Sequence, residues 1–258
     1  MRITKENLQQ TIHRNKQIEE EIAHLIQYVE MTYKEIRIQS PEKQALQILR
    51  QHYFLQIPIP DQDFGGAIRV LQNGKKIFII NTAQQRVYQY FMYWHEIYHL
   101  LEQVTESHVI TLDFDLNERK ADYFAAQMLL GKDVYRYFMN LQEPVNFLDR
   151  VMVCIDMFKA PYKAVLIQLY EAAVTEKNEA LQKEIEEHFD CRFTQDEWEQ
   201  HFKRLHLDVS LIQPSNILDM RILENAIQAK QEAYPEVSTY QEHFEFLQQF
   251  IKNAKQTH

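Results

Sequence analysis

The chain has 258 residues, a formal net charge of −9 at pH 7, 45% hydrophobic residues and only four glycines. These values are typical of a globular protein with a substantial core, and so few glycines argue against a barrel or sandwich built from many tight turns. The negative charge argues against a nucleic-acid-binding surface over the whole molecule, so we expect no direct contact with nucleic acid.

The sequence carries no signal for export or membrane insertion. Its first ten residues, MRITKENLQQ, are polar and lack the apolar segment of a secretory signal. No apolar run approaches the roughly 18 to 20 residues that a membrane helix needs. The two cysteines, Cys154 and Cys191, do not make a disulfide framework. We therefore expect a cytoplasmic protein with no membrane contact.

Helical patterns dominate the N-terminal region. Apolar residues spaced by three and four positions predict a helix over residues 5–36. Pro41 is placed as the first residue of a second helix, with Ser40 as its cap. The prolines at 58 and 60 are expected to end that helix.

A small sheet is predicted next. Residues 67–71 and 76–81 are short apolar or β-branched runs, and Asn73-Gly74 between them is typical of a hairpin turn. We expect these two runs to form a small antiparallel sheet.

The remaining chain is predicted to be helical. One helix runs over 83–104 with Thr82 as its cap, and another over 117–130 with Gly131 as its stop. Further helical patterns cover 133–142, 145–158, 162–174, a charged stretch from residue 176, a segment capped by Thr194, and two helices between 215 and 255 split near Pro235.

These elements predict a predominantly helical α+β fold, in which a small antiparallel sheet packs on a pair of helices and a helical C-terminal region follows. We divide the chain into an N-terminal helical segment (1–39), a central domain (40–175) and a C-terminal region of unknown role (176–258).

The segment YWHEIYHLLE carries the strongest chemical pattern. His95 and His99 lie one above the other on a helix, so both imidazoles can reach one metal ion. Glu96 is offset by about 100° of helical turn and can reach a water at the metal. This spacing indicates zinc ligands at His95 and His99 and a general base at Glu96. The alternative is a pair of histidines at the edge of the core, each bonded to a carbonyl.

A second helix offers the missing ligand. Catalytic zinc sites use three protein ligands and leave a position for water. Glu118 could complete a His-His-Glu set, and Asp122, one turn later, could accept the outer N–H of a ligating histidine. Ala121, Ala125 and Ala126 would let this helix approach the histidine helix closely. The alternative for Glu118 is a helix cap or a solvated face.

These two segments together resemble a known family. HEIYHLL followed by ERKADYFAAQMLL is similar to the ImmA/IrrE family of zinc metallopeptidases, which pairs H-E-x-x-H with a downstream E-x-x-A-(D/N)-x-F-A-A helix. The resemblance covers roughly residues 40–172. It implies a zincin-like helix pair and one Zn²⁺ per chain. It also implies that the protein cleaves or inactivates a separate helix-turn-helix repressor, because we find no DNA-binding unit in this chain.

The predicted function is therefore zinc-dependent hydrolysis of peptide bonds in a protein substrate, with the substrate lying along the edge of the small sheet. The oxyanion-stabilising group stays unidentified, since we expect Tyr98 in the core and His108 in a polar loop. The oligomeric state also stays open. One alternative is a non-catalytic zinc-binding regulator that acts through protein contacts of its C-terminal region. Another is a helical interaction module without a metal.

Overall fold

The computed structural model of the protein describes residues 3–61, 63–71, 74–102, 114–143 and 146–256. Its three strands are β1 (Tyr53–Ile57), β2 (Gly66–Val70) and β3 (Lys76–Asn81). Its α-helices are α1 (Leu8–Thr32), α2 (Pro41–Leu49), α3 (Arg86–Glu102), α4 (Phe114–Leu130), α5 (Asp133–Asn140), α6 (Phe147–Phe158), α7 (Tyr162–Thr175), α8 (Glu179–His188), α9 (Gln195–Arg204), α10 (Arg221–Ala233) and α11 (Ser238–Gln256). The predicted fold class, α+β and predominantly helical, is confirmed.

The predicted hairpin is present. β2 and β3 pair antiparallel, in a register that runs from Gly66 opposite Ile80 to Val70 opposite Lys76. Gly74 adopts a φ of 76°, a conformation that glycine tolerates better than any other residue. Asn73, the other predicted turn residue, lies outside the described residues.

The sheet is mixed, and this corrects the prediction of a purely antiparallel sheet. The strand order is β1-β3-β2, with β1 parallel to β3. Helix α2 ends at Leu49, so the predicted second helix is too long and hides a strand. The three central residues of β1, Phe54 to Gln56, are all buried. A strand buried on both faces has no polar alternation, which makes it hard to distinguish from a helix by pattern.

Helices α3 and α4 pack together at the centre of the molecule. Trp94 and Tyr98 of α3 both contact Phe124 of α4, with ring centroids 6.0 Å apart in each pair. Ala121 and Ala125 of α4 are fully buried. Such small side chains allow two helix axes to approach closely.

One of two predicted helix caps is wrong. Helix α2 begins at Pro41 with Ser40 as its N-cap residue, as predicted, although the Ser40 hydroxyl donates to the Glu42 carboxylate 2.6 Å away and makes no cap hydrogen bond. The Thr82 hydroxyl donates to the Ile217 carbonyl at 2.7 Å, and α3 starts only at Arg86. The turn before α3 is held by Asn81, whose side-chain oxygen accepts from the Ala83 amide. The Thr82 side chain is therefore used in a tertiary contact that sequence pattern cannot show.

Other predicted helix ends are confirmed. Gly131 follows α4 with a φ of 55°. The Thr194 hydroxyl accepts from the Glu197 amide at the start of α9, and the Glu197 carboxylate accepts from the Thr194 amide. Helices α10 and α11 lie on either side of Pro235. Among the described residues, none of the helices has both the length and the apolar character required to cross a bilayer.

Both ends of the chain contact the central region. Asn15 of α1 accepts two hydrogen bonds from the Arg119 guanidinium of α4, at 2.9 and 2.7 Å. On the C-terminal side, Gln56 of β1 and Asp219 exchange backbone hydrogen bonds of 3.1 and 2.8 Å. The predicted divisions at 39/40 and 175/176 stay predictions, but the segments beyond them pack directly against the sheet and α4.

Candidate metal centre

His95 and His99 lie one turn apart on α3 and face the same side of the helix. Their Nε2 atoms are 3.3 Å apart, and their ring centroids are 5.0 Å apart. His95 is buried and His99 is half-buried. The spacing of four residues thus brings two imidazole nitrogens to one point beside the core.

Glu118 reaches the same point from α4. One carboxylate oxygen lies 3.2 Å from His95 Nε2, and the other lies 3.4 Å from His99 Nε2. Tetrahedral bonds of about 2.0 to 2.2 Å would place ligand atoms roughly 3.3 to 3.6 Å apart. The three side chains already have nearly these separations, so they form a group that could hold a metal ion.

Asp122 lies on the outer side of His95. Its Oδ1 is 3.0 Å from His95 Nδ1, which places the proton of the neutral imidazole on Nδ1 and leaves Nε2 free as a ligand. The outer nitrogen of His99 faces the Glu102 carboxylate at 3.8 Å. Each histidine therefore presents Nε2 to the common point and Nδ1 to a carboxylate.

The electrostatics of the group favour a positive charge between its members. Burial alone would lower the pKa of His95, but hydrogen bonds to Asp122 and Glu118 outweigh it and raise the pKa to about 10. Hydrogen bonds to His95 and His99 hold the pKa of Glu118 far below its ordinary value. A divalent cation would replace the imidazole proton and satisfy the same carboxylate.

Glu96 is offset from His95 and His99 around α3, and it lines the cleft beside them. Its side chain is only 3% exposed, and burial raises the pKa of its carboxyl group above the usual value. One of its oxygens lies 3.1 Å from the point where a Cβ on Gly66 would stand. Strand β2 thus runs directly past the Glu96 carboxylate.

The five predicted site residues line one cleft of about 620 Å³ between β2, α3 and α4. The sequence analysis did not identify Gly66 and Asn117, which also line it. Asn117 directly precedes Glu118, which is the one signal that could have indicated it. Tyr98 is 1% exposed and lies in the core as predicted. His108 lies outside the described residues.

Comparison of the chain with protein-family models, with curated proteins and with solved structures found no match in any of the three. The resemblance to the ImmA/IrrE family therefore depends on the two sequence motifs alone.

Proposed function

We propose that this protein is a zinc-dependent metalloendopeptidase. The observation that carries the proposal is the convergence of two imidazole nitrogens and one carboxylate within 3.2 to 3.4 Å, beside a buried carboxylate that is free to act as a base. A structural zinc site usually has four protein ligands. Three ligands in an open cleft are typical of a catalytic site.

The donor set suits zinc better than magnesium or calcium. Two imidazole nitrogens and one carboxylate match a known class of catalytic zinc sites, whereas magnesium and calcium prefer oxygen ligands. Zinc in such a site makes water more acidic and polarises a carbonyl group.

Glu96 is the proposed general base. Its offset on α3 directs it into the cleft beside the ligand group, and burial makes it a stronger proton acceptor than an exposed glutamate. In the proposed mechanism its carboxylate accepts a proton from the attacking water and then donates that proton to the leaving amine.

Asp122 is the proposed orienting residue for His95. Its hydrogen bond at 3.0 Å fixes the ring position and the tautomer that leaves Nε2 available. Such a partner also makes the imidazole a stronger ligand.

The substrate is proposed to lie along β2. This strand is at the edge of the described sheet, and it passes close to Glu96 at Gly66. An extended peptide that adds a strand at this edge would place its backbone beside the metal ligands.

The proposed substrate is a separate regulatory protein, such as a helix-turn-helix repressor, and this part rests on the family resemblance. It can be tested by co-expression with the product of a neighbouring regulator gene. A cut in that product that depends on intact Glu96 would support it, and an uncut product would argue for another substrate.

The peptidase activity itself is tested by incubating the zinc-loaded protein with a mixed peptide library and identifying products by mass spectrometry. Glu96→Gln should keep one zinc per chain and lose at least about a hundredfold in cleavage rate. The exposed Glu20→Gln is the matched control and should cleave normally. A zinc-loaded wild-type protein that cleaves neither the library nor the regulator would favour the non-catalytic alternative.

A further inference from the structure

A second cavity lies next to the metal cleft, between α3, α4 and α7. Its volume is about 160 Å³. Four of its lining residues are apolar and at most 9% exposed: Phe91, Ala126, Ala164 and Ile167. Two alanines on facing helices leave the space that larger side chains would fill. The cavity is thus a small apolar pocket of roughly the size of one amino-acid side chain.

The pocket adjoins the cleft. Tyr88 and Asp122 line both cavities. Asp122 also hydrogen-bonds to His95 at 3.0 Å, so one residue that lines the pocket contacts a proposed metal ligand.

The N-terminal segment completes one wall. Ile3 lines the pocket, and its carbonyl oxygen accepts a hydrogen bond of 2.7 Å from Lys163 Nζ. The Asp190 carboxylate forms an ion pair with Lys163 at 3.1 Å and also accepts a hydrogen bond of 2.9 Å from the Lys5 backbone amide. This segment belongs to the part of the chain that the family resemblance does not cover.

The charged residues around the pocket are already engaged. Lys163 is paired with Asp190, and the Arg119 guanidinium donates twice to Asn15. The amide oxygen of Gln168 accepts from Gln127 at 2.9 Å. A charged ligand group would therefore have to break existing pairs, whereas an apolar group would only displace water.

We propose that this pocket receives an apolar side chain of the substrate, of about the size of leucine, from a residue next to the scissile bond. The pocket would then select the bond that is cut. This inference rests on the proposed peptidase function, because it assigns the cleft to a peptide backbone.

The test uses hydroxamic acids, which bind catalytic zinc through one end. Calorimetry on the zinc-loaded full-length protein would compare acetohydroxamic acid, which has no side chain to bury, with 4-methylpentanohydroxamic acid, which carries a leucine-like chain. We expect the second probe to bind at least about tenfold more tightly, because burial of each additional methylene contributes to affinity.

Ala164→Leu should fill the pocket and remove most of that tenfold gain, while the affinity for acetohydroxamic acid stays unchanged. Ala172→Leu, on the same helix but outside the pocket lining, is the matched control and should keep the gain. If Ala164→Leu does not fold, Ile167→Ala enlarges the pocket instead. It should shift the preference toward the bulkier 3-phenylpropanohydroxamic acid.

The outcomes separate the two proposals. If acetohydroxamic acid binds but the longer probe binds no better, or if Ala164→Leu leaves the gain intact, the pocket assignment is wrong and the metal centre stands. If acetohydroxamic acid does not bind the zinc-loaded protein at all, the proposed function fails and the pocket assignment fails with it.

Discussion

His95 occupies the most constrained position of the site, because its two ring nitrogens face carboxylates from the same neighbouring helix. Asp122 lies at 3.0 Å on one side and Glu118 at 3.2 Å on the other. In a ligand group of this kind the outer carboxylate sets both the orientation and the basicity of the imidazole.

Asp122→Asn should therefore weaken zinc binding without unfolding the protein. The amide can still accept the hydrogen bond from His95 but no longer carries the charge that strengthens the ligand. We expect the zinc dissociation constant to rise between about tenfold and a hundredfold. Competition with a fluorescent chelator measures it. Asp133→Asn, at an exposed position on α5, is the control, and equal affinities in the two variants would contradict the role of Asp122.

Glu171 of α7 is a buried titratable residue outside the proposed metal centre. Burial raises the pKa of Glu171 on α7 to about 7, and the charge of Glu19 adds to this effect while Arg119 opposes it. One oxygen of Glu171 is buried without a hydrogen-bond partner among the described residues. The ionised form of this side chain therefore destabilises the fold.

The raised pKa of Glu171 makes the folded protein less stable as the pH rises. Between the ordinary value of 4.5 and about 7, the folded state binds the Glu171 proton more tightly than the unfolded state. Stability from this group is therefore lost as the pH rises through that window, by at most about 3 kcal/mol. Relative to wild type, Glu171→Gln should change little at pH 5 and become more stable toward pH 8. Urea unfolding of both proteins at pH 5 and pH 8 checks this. An equal change in the free energy of unfolding of the two proteins between these pH values would contradict it.

Strand β2 lies in close contact with helix α3. A Cβ at Gly66 would lie 3.0 Å from the Ile79 carbonyl oxygen and 3.1 Å from a Glu96 oxygen. These contacts are tighter than a side-chain carbon normally makes, and the carbonyl is held in the sheet.

Gly66→Ala should therefore displace either β2 or the Glu96 carboxylate. We expect cleavage to fall by about tenfold or more, since small errors in the position of a catalytic group are costly. Zinc content should stay at one per chain, because the proposed ligands lie on α3 and α4. Gly74→Asn at the hairpin turn is the control, because no atom lies within 4 Å of an added Cβ and asparagine tolerates the positive φ there better than most other side chains. Full activity in Gly66→Ala would refute this role of β2.

The same elements show what sequence could and could not predict. Amphipathic spacing and turn residues located most of the helices and the hairpin, because those signals are local. Strand β1 was missed because its buried residues lack alternation. Glu118 and Asp122 could be linked to His95 because their spacing fits a known ligand set. Gly66 and the apolar pocket depend on contacts between distant segments, which local pattern does not encode.

The proposed ligand group joins α3 to α4, and α4 is in turn connected to α1 by the hydrogen bonds between Arg119 and Asn15. A metal ion that binds only the folded arrangement must stabilise the entire chain. Treatment with a chelator should therefore lower the melting temperature by several degrees, and added zinc should restore it. The Glu118→Ala variant should show neither change, whereas an equal response in that variant would place the stabilising metal elsewhere.

We propose that His95, His99 and Glu118 together bind one zinc ion. A crystal structure with diffraction data on both sides of the zinc absorption edge would test this. We predict a single anomalous peak within about 2.0 to 2.2 Å of His95 Nε2, His99 Nε2 and a Glu118 oxygen. A zinc-saturated crystal with no peak at these three atoms, or with the ion bound elsewhere, would rule out this group as the zinc site.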